Sequence, residues 1–247
     1  MSLTPTTAPR VARRRLTAPF FEIGPKNLLR LAEIVDVAVA AEAAGRRHDV
    51  SVILTVPAPL IAPVRAAVPG VFVFAQSMDD DEVGPSVGTV IAETLVDAGA
   101  DGVMLNHDSH PLDGESLDRA IRRASTNGLL TMVCAGSDDE AAALALLSPT
   151  VVLYEPPALI GTSGRTDRHW ISAIDERMRT LAPSVLMMHA GGVSSPADVY
   201  DIMKVGASGT GSTSGVLGAR SPRDAAAEFI EAARRGFDAA IARLPAS

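Results

Sequence analysis

The 247-residue chain has a single cysteine, Cys134, so it can form no intrachain disulfide, and a reducing, cytoplasmic setting is expected. Aromatic residues are only 4% of the chain, so its core must come from small and branched side chains. No apolar run reaches the ~18 residues of a membrane span. The opening MSLTPTTAPRVARRRLTAP is basic but lacks the apolar stretch of a signal peptide. Residues 1–18 therefore read as a disordered basic leader and 19–247 as one folded domain. A net charge of −7 leaves no footprint for nucleic acid outside Arg13–Arg15.

Lysine is nearly missing as well. Lys26 and Lys204 are the only two among 22 basic residues. A Schiff-base mechanism needs a desolvated lysine. Lys204, late in the helical stretch YDIMKVGA, is poorly placed for that. Lys26 remains as a point charge able to meet a phosphate or a substrate oxygen, or simply a solvated side chain.

What is abundant is a repeating pattern. Short apolar runs at 20–23, 50–55, 71–75, 102–105, 129–134, 151–154, 185–189 and 209–212 alternate with amphipathic stretches. Continuous apolarity without a period of two suits parallel strands covered on both faces. Helices are expected at 28–44, 88–98, 116–125, 138–147, 167–181, 196–205 and 222–243, with a short Pro-rich connection near 58–67. Asp138, Asp167 and Ser195 read as caps, and Gly99, Gly128 and Gly206 as stops. Eight strand–helix units in one chain predict an α/β fold, a single (β/α)8 barrel. A doubly wound sheet would carry GxGxxG after its first strand, and nothing of that kind follows residue 23.

Active sites of such barrels lie where the strands end. The polar residues there are Glu22 and Lys26, Gln76, Asn106-His107, Glu155, the Gly191-Gly192 turn and the small-residue run 209–215. Glu155 follows a buried strand and precedes two prolines; partial desolvation would raise its pKa and suit it as a general base. The structural alternative is a strand-end glutamate paired with an arginine. His107 suits either a neutral electrophile or a satisfied structural role. His107, His110 and His189, with Asp108, also permit a metal site, although two histidines three apart just past a strand do not clearly converge. HAGGVSS and GTGSTSGV are turns whose backbone amides can cradle phosphate, although tight βα turns need small residues in any case.

In this order the motifs resemble the triosephosphate isomerase family, particularly its shorter archaeal branch. EPPALIGTSG resembles the family's glutamate-and-lid segment, FAQSMDDDEVGPSVG its third-loop region, and LNHDSH its L-N-H-S-E-R. MVCAG resembles its fifth-strand end, and AGGVSS and GSTSGV its two phosphate loops. The resemblance spans about residues 20–235 and implies a TIM barrel. It also implies a cofactor-free, metal-free proton shuttle between adjacent carbons of a small phosphorylated sugar. Glu155 would be the base, His107 the neutral electrophile and Lys26 the substrate-contacting cation. Gly161 in the lid, with Gly192, Val193, Thr213 and Ser214, would hold the phosphate. A homo-oligomer, dimer or tetramer, is implied, with 77–87 as interface loop.

Three segments depart from the family. Asp108-Ser109-His110 replaces Ser-Glu-Arg, Gly24 stands where asparagine is expected, and Val87 where threonine is expected. These losses touch the shell around the reacting groups and leave a tetrulose phosphate as an alternative to the triose pair. A non-catalytic sugar-phosphate-binding barrel and a metal-dependent lyase or aldolase using the three histidines are the other readings.

Overall fold

The computed structural model describes residues 14–159 and 168–243. Eight parallel strands close into a barrel in chain order: β1 (Phe20–Ile23), β2 (Ser51–Val56), β3 (Phe72–Ala75), β4 (Gly102–Leu105), β5 (Leu130–Ala135), β6 (Val151–Tyr154), β7 (Leu186–His189) and β8 (Gly209–Gly211). β8 returns to β1, pairing Thr210 with Phe21, so no edge is left open. The outer ring comprises α1 (Leu31–His48), α2 (Ile61–Ala67), α3 (Ala92–Asp97), α4 (Gly114–Asn127), α5 (Asp138–Ala145), α6 (Trp170–Leu181), α7 (Pro196–Met203), α8 (Ser214–Leu217) and α9 (Pro222–Ile241). Among the described residues no helix is long and apolar enough to cross a membrane.

Two cores explain the lack of alternation in the strands. Valines and leucines such as Val52, Leu54, Val73 and Val152 face the helices. Phe20, Ile53, Phe72, Phe74, Met104, Met132, Leu153 and Met188 fill the barrel interior. Three of the six phenylalanines thus sit inside the barrel, and glycines on neighbouring strands make room for two of them. A Cβ on Gly209 would lie 2.3 Å from the Phe20 ring, and one on Gly102 would lie 2.6 Å from the Phe74 ring. Large residues on one strand are matched by the smallest on the next, as a closed interior requires.

The last residues of the expected leader lie against the barrel. Leu16 is buried beneath the interior cluster, and the Arg14 guanidinium stacks 4.0 Å from the Phe72 ring centre. Residues 1–13 are outside the described residues.

Helix boundaries show small departures from the sequence expectation. Ser195 caps α7 through a reciprocal pair with Asp198, as its hydroxyl suggested. The cap of α5 is Ser137, one residue before the expected Asp138. Asp138 is thereby free to accept from the Tyr154 hydroxyl at 2.7 Å. Asp167 is outside the described residues, and α6 begins at Trp170. Gly128 ends α4 in the left-handed region, where it carries no Cβ penalty.

Candidate active site

A pocket of about 520 Å³ opens at the C-terminal ends of the strands. Glu155, His107, Lys26, Gly192, Val193, Thr213 and Ser214 all line it. Gly161, also expected here, lies outside the described residues.

Glu155 extends β6 by one ladder bond, its N–H donating to Ala135 O at 2.9 Å. That bond fixes the backbone just before Pro156 and Pro157 stiffen the exit. Gly191 permits close packing across from it. Its φ is 87°, and a Cβ there would stand 3.3 Å from Glu155 Cγ and 2.9 Å from Leu159 Cβ. Burial raises the Glu155 pKa above the usual carboxylate range; Lys26 nearby works against this, and Asp108 adds to it.

His107 leaves β4 through Asn106, held in the left-handed region at φ 58°. The Asn106 amide donates to Cys134 O at 3.0 Å and Glu140 at 3.2 Å, and accepts from Leu112 N–H at 3.2 Å. It braces the loop from three sides. The Ser109 backbone N–H donates to His107 Nδ1 at 3.1 Å, and the Ser109 hydroxyl lies 2.8 Å from the same atom. Nδ1 is therefore an acceptor, and the neutral ring carries its proton on Nε2. Burial, with Lys26 second, lowers the His107 pKa, so the ring is neutral near pH 7.

The departures at 108–110 leave the orientation of the His107 ring intact. The family's glutamate side chain is absent, but the group that sets the tautomer here is a backbone N–H, which any non-proline residue supplies. Lys26 is also constrained: φ is 49° and its carbonyl accepts from Gln76 Nε2 at 2.7 Å. A left-handed conformation at a long side chain is maintained only where the surroundings enforce it.

Opposite these groups, two turns form the far wall. Ser212 Oγ donates to Val193 O at 2.6 Å and accepts from Gly215 N–H at 3.1 Å. Thr213 Oγ1 donates to Gly24 O at 2.8 Å. The turns after β7 and β8 are thus tied to each other and to the loop after β1. Arg168 anchors the same wall from outside, donating to Gly191 O at 2.8 Å beside Asp198.

His189 does not join His107 and His110. Its ring lies on the helix side of β7, with Nε2 2.7 Å from Asp175 of α6 and packed nearly perpendicular to the Tyr154 ring. Among the described residues no group of three or more His, Cys, Asp or Glu is placed to hold a metal ion.

Glu22, named with Lys26 among the strand-end residues but given no role, lies deeper than that reading placed it. It belongs to β1 and points with Phe20 into the interior, 6% exposed, at the floor of the pocket beside Thr55. The alternation of Phe20 and Glu22 against Phe21 and Ile23 was the available signal, masked by the apolar run around it. Burial raises its pKa to about 7.

A parallel barrel that brings desolvated carboxyl groups, a neutral imidazole and an ammonium into a pocket walled by backbone turns has the groups that an enzyme of acid–base chemistry needs. The comparisons are more specific. The triosephosphate isomerase family model matches residues 26–220. Triosephosphate isomerase from Metallosphaera sedula is 34% identical over 208 residues, covering 83% of this chain and 90% of that one. The Cenarchaeum symbiosum enzyme of the same name is 29% identical over 87% of this chain and 98% of its own. Among solved structures, triosephosphate isomerase from Bartonella henselae superposes with a TM-score of 0.69 at 18% identity, covering 85% of this chain and 97% of that one, a likeness of fold. The chain belongs to the triosephosphate isomerase family and is an isomerase.

Proposed function

We propose that the chain interconverts dihydroxyacetone phosphate and D-glyceraldehyde 3-phosphate, with Glu155 as the base. The observation that carries this reading is the convergence of Glu155, Nδ1-anchored His107 and Lys26 on one pocket. A glutamate base beside a neutral histidine is the established pairing of triosephosphate isomerase, and the roles assigned to Glu155 and His107 are carried over from it. The Glu155 carboxylate takes a proton from the hydroxyl-bearing carbon, and the electron pair moves to the carbonyl oxygen. His107 Nε2–H stabilises the oxygen as it becomes an enediolate, and the Lys26 ammonium offsets its charge. Glu155, now protonated, returns the proton to the adjacent carbon, while the proton of the original hydroxyl passes to the former carbonyl oxygen, leaving an aldehyde beside a new secondary hydroxyl. Backbone amides of Gly192, Val193, Thr213 and Ser214 hold the phosphate at the far wall.

The protein works in the cytoplasm as a homo-oligomer, without a metal or organic cofactor. Support for assembly comes from the loop before α3, where Val83 is 71% and Val87 96% exposed in an otherwise acidic, polar segment. Sedimentation of the full chain tests that assignment: a monomer at all concentrations would refute it.

The catalytic reading is tested by proton NMR of dihydroxyacetone phosphate in D₂O. The wild type is expected to place deuterium on the hydroxyl-bearing carbon while the aldehyde hydrate grows in, and Glu155→Gln to do neither. Exchange that persists in Glu155→Gln would remove Glu155 from the role of base.

A further inference from the structure

Glu22 and Thr55 form a feature that the proposed proton shuttle does not use. Both line the floor of the pocket, and both are buried, at 6% and 2% exposure. Glu22 Oε1 and Thr55 Oγ1 are without a hydrogen-bond partner among the described residues. The Thr55 hydroxyl lies close enough to favour the ionised carboxyl and lower its pKa against the effect of burial, but the pair falls short of a well-formed hydrogen bond. Buried polar atoms left unmatched are costly, and these two, unlike others in the chain, lie where a ligand in the pocket can supply the partner.

The surrounding backbone is shaped to the carboxyl. A Cβ at Gly24 would stand 2.8 Å from Glu22 Oε1, and one at Gly211 2.8 Å from Glu22 Oε2. Each carboxyl oxygen therefore rests against a glycine, so any side chain at 24 or 211 would displace it. Gly24 is the position where the family resemblance anticipated asparagine; here its lack of a side chain leaves space for the acid. The rest of the floor is apolar, from Met104, Leu153 and Met188, and offers a ligand oxygen no competing partner.

We propose that Glu22 is a specificity-determining residue whose carboxyl, with the Thr55 hydroxyl, binds a hydroxyl group at the non-phosphorylated end of the sugar phosphate. The inference rests on this pocket being the sugar-phosphate site. A carboxyl that titrates near neutrality offers both a donor and an acceptor there, which matches a hydroxyl and discriminates against a methyl. No covalent step is involved: Glu22 selects and orients, while Glu155 moves the proton.

The test reads binding without turnover. Dissociation constants of glycerol 3-phosphate and of propyl phosphate, which has the same chain without hydroxyls, are measured by calorimetry for the full-length wild type. The same is done for Glu22→Met, which keeps bulk but removes both oxygens, and for Thr55→Val. The wild type is expected to favour glycerol 3-phosphate by about 10-fold or more, the usual worth of a buried polar pairing. Glu22→Met is expected to reduce that ratio to within about 2-fold, and Thr55→Val to an intermediate value. An unchanged ratio in Glu22→Met would overturn the proposal and leave Glu22 a buried structural acid. Should Glu22→Met not fold, the ratio in Thr55→Val decides: unchanged overturns, lowered supports. Failure of the isomerase reading would appear instead in the deuterium exchange of the wild type, whatever these ratios are.

Discussion

At the N-terminal end of the barrel, the Asp101 carboxylate accepts from Val73 N–H at 2.8 Å and from the guanidinium groups of Arg65 and Arg14. Arg65 in turn donates to Gly99 O at 3.1 Å and Val71 O at 2.9 Å. At the C-terminal end the Glu22 carboxyl is more deeply buried, yet Oε1 has no partner among the described residues. One end satisfies its buried charge within the chain; the other leaves a buried carboxyl oxygen unmatched. The difference separates groups that stabilise the barrel from groups that await a ligand.

Substitutions can break that contrast, and the largest effect is expected at the upper end. Glu155→Gln should lower kcat/KM by about 10²- to 10⁴-fold, the range for a general base, with Tm within a degree or two of wild type. Steady-state rates and a melting curve measured on the same preparation check both halves.

At the lower end the effect should be on stability alone. Asp101→Ala leaves two guanidinium groups and the Val73 N–H facing each other, and should cost about 3 kcal/mol in urea unfolding. Its kcat and KM should stay within about 2-fold, because additivity holds for well-separated sites. A variant that unfolds like wild type would show that the lower network is ornamental.

Glu22 gives a stability signal with a definite sign. Its folded pKa, about 7, lies above the ordinary 4.5, so the folded state holds the proton more tightly than the unfolded chain. That stabilisation is complete below pH 4.5 and is lost as pH rises through about 7. It amounts to at most about 3 kcal/mol. Unfolding free energy of the wild type minus that of Glu22→Gln should therefore decline between pH 4.5 and 7.5. A flat difference would show that Glu22 ionises as in water. The acid limb of kcat/KM should also lie above the ordinary carboxylate range, because the base form of Glu155 is lost as pH falls through its raised pKa.

The smallest effect is expected at Ser109. Ser109→Ala removes the hydroxyl but keeps the N–H that fixes His107 Nδ1. Activity should fall less than about 5-fold, a typical weight for one neutral hydrogen bond. Ser109→Pro, which deletes that N–H, should fall much further in kcat at little change in KM.

Much of this was legible in the chain itself. Four-residue apolar runs such as GVML and VVLY were strands end to end, because continuous apolarity has one stable solution, burial on both faces. Glu155, His107 and Lys26 were recognisable from their position just past such runs. The cap of α5 was misplaced by one residue because Ser137 and Asp138 are both good caps, and only the demand of Tyr154 for an acceptor separates them. His189 belonged by pattern with the other strand-end histidines. Strand pleating turned it outward to Asp175, and no local signal carries that pairing across 14 residues.

The alternation of apolar strands with amphipathic helices determined the closed barrel, because each strand needed cover on two faces and each helix on one. Strand ends then determined where the chemistry would lie. What only the tertiary structure decided was the environment of each group: whether Asn106, beside His107, meets the Cys134 carbonyl, whether His189 meets an acid, and whether Glu22 meets anything. Those depend on which atoms from distant segments approach within about 3 Å, a distance set by closure of the whole barrel and not by any stretch of residues.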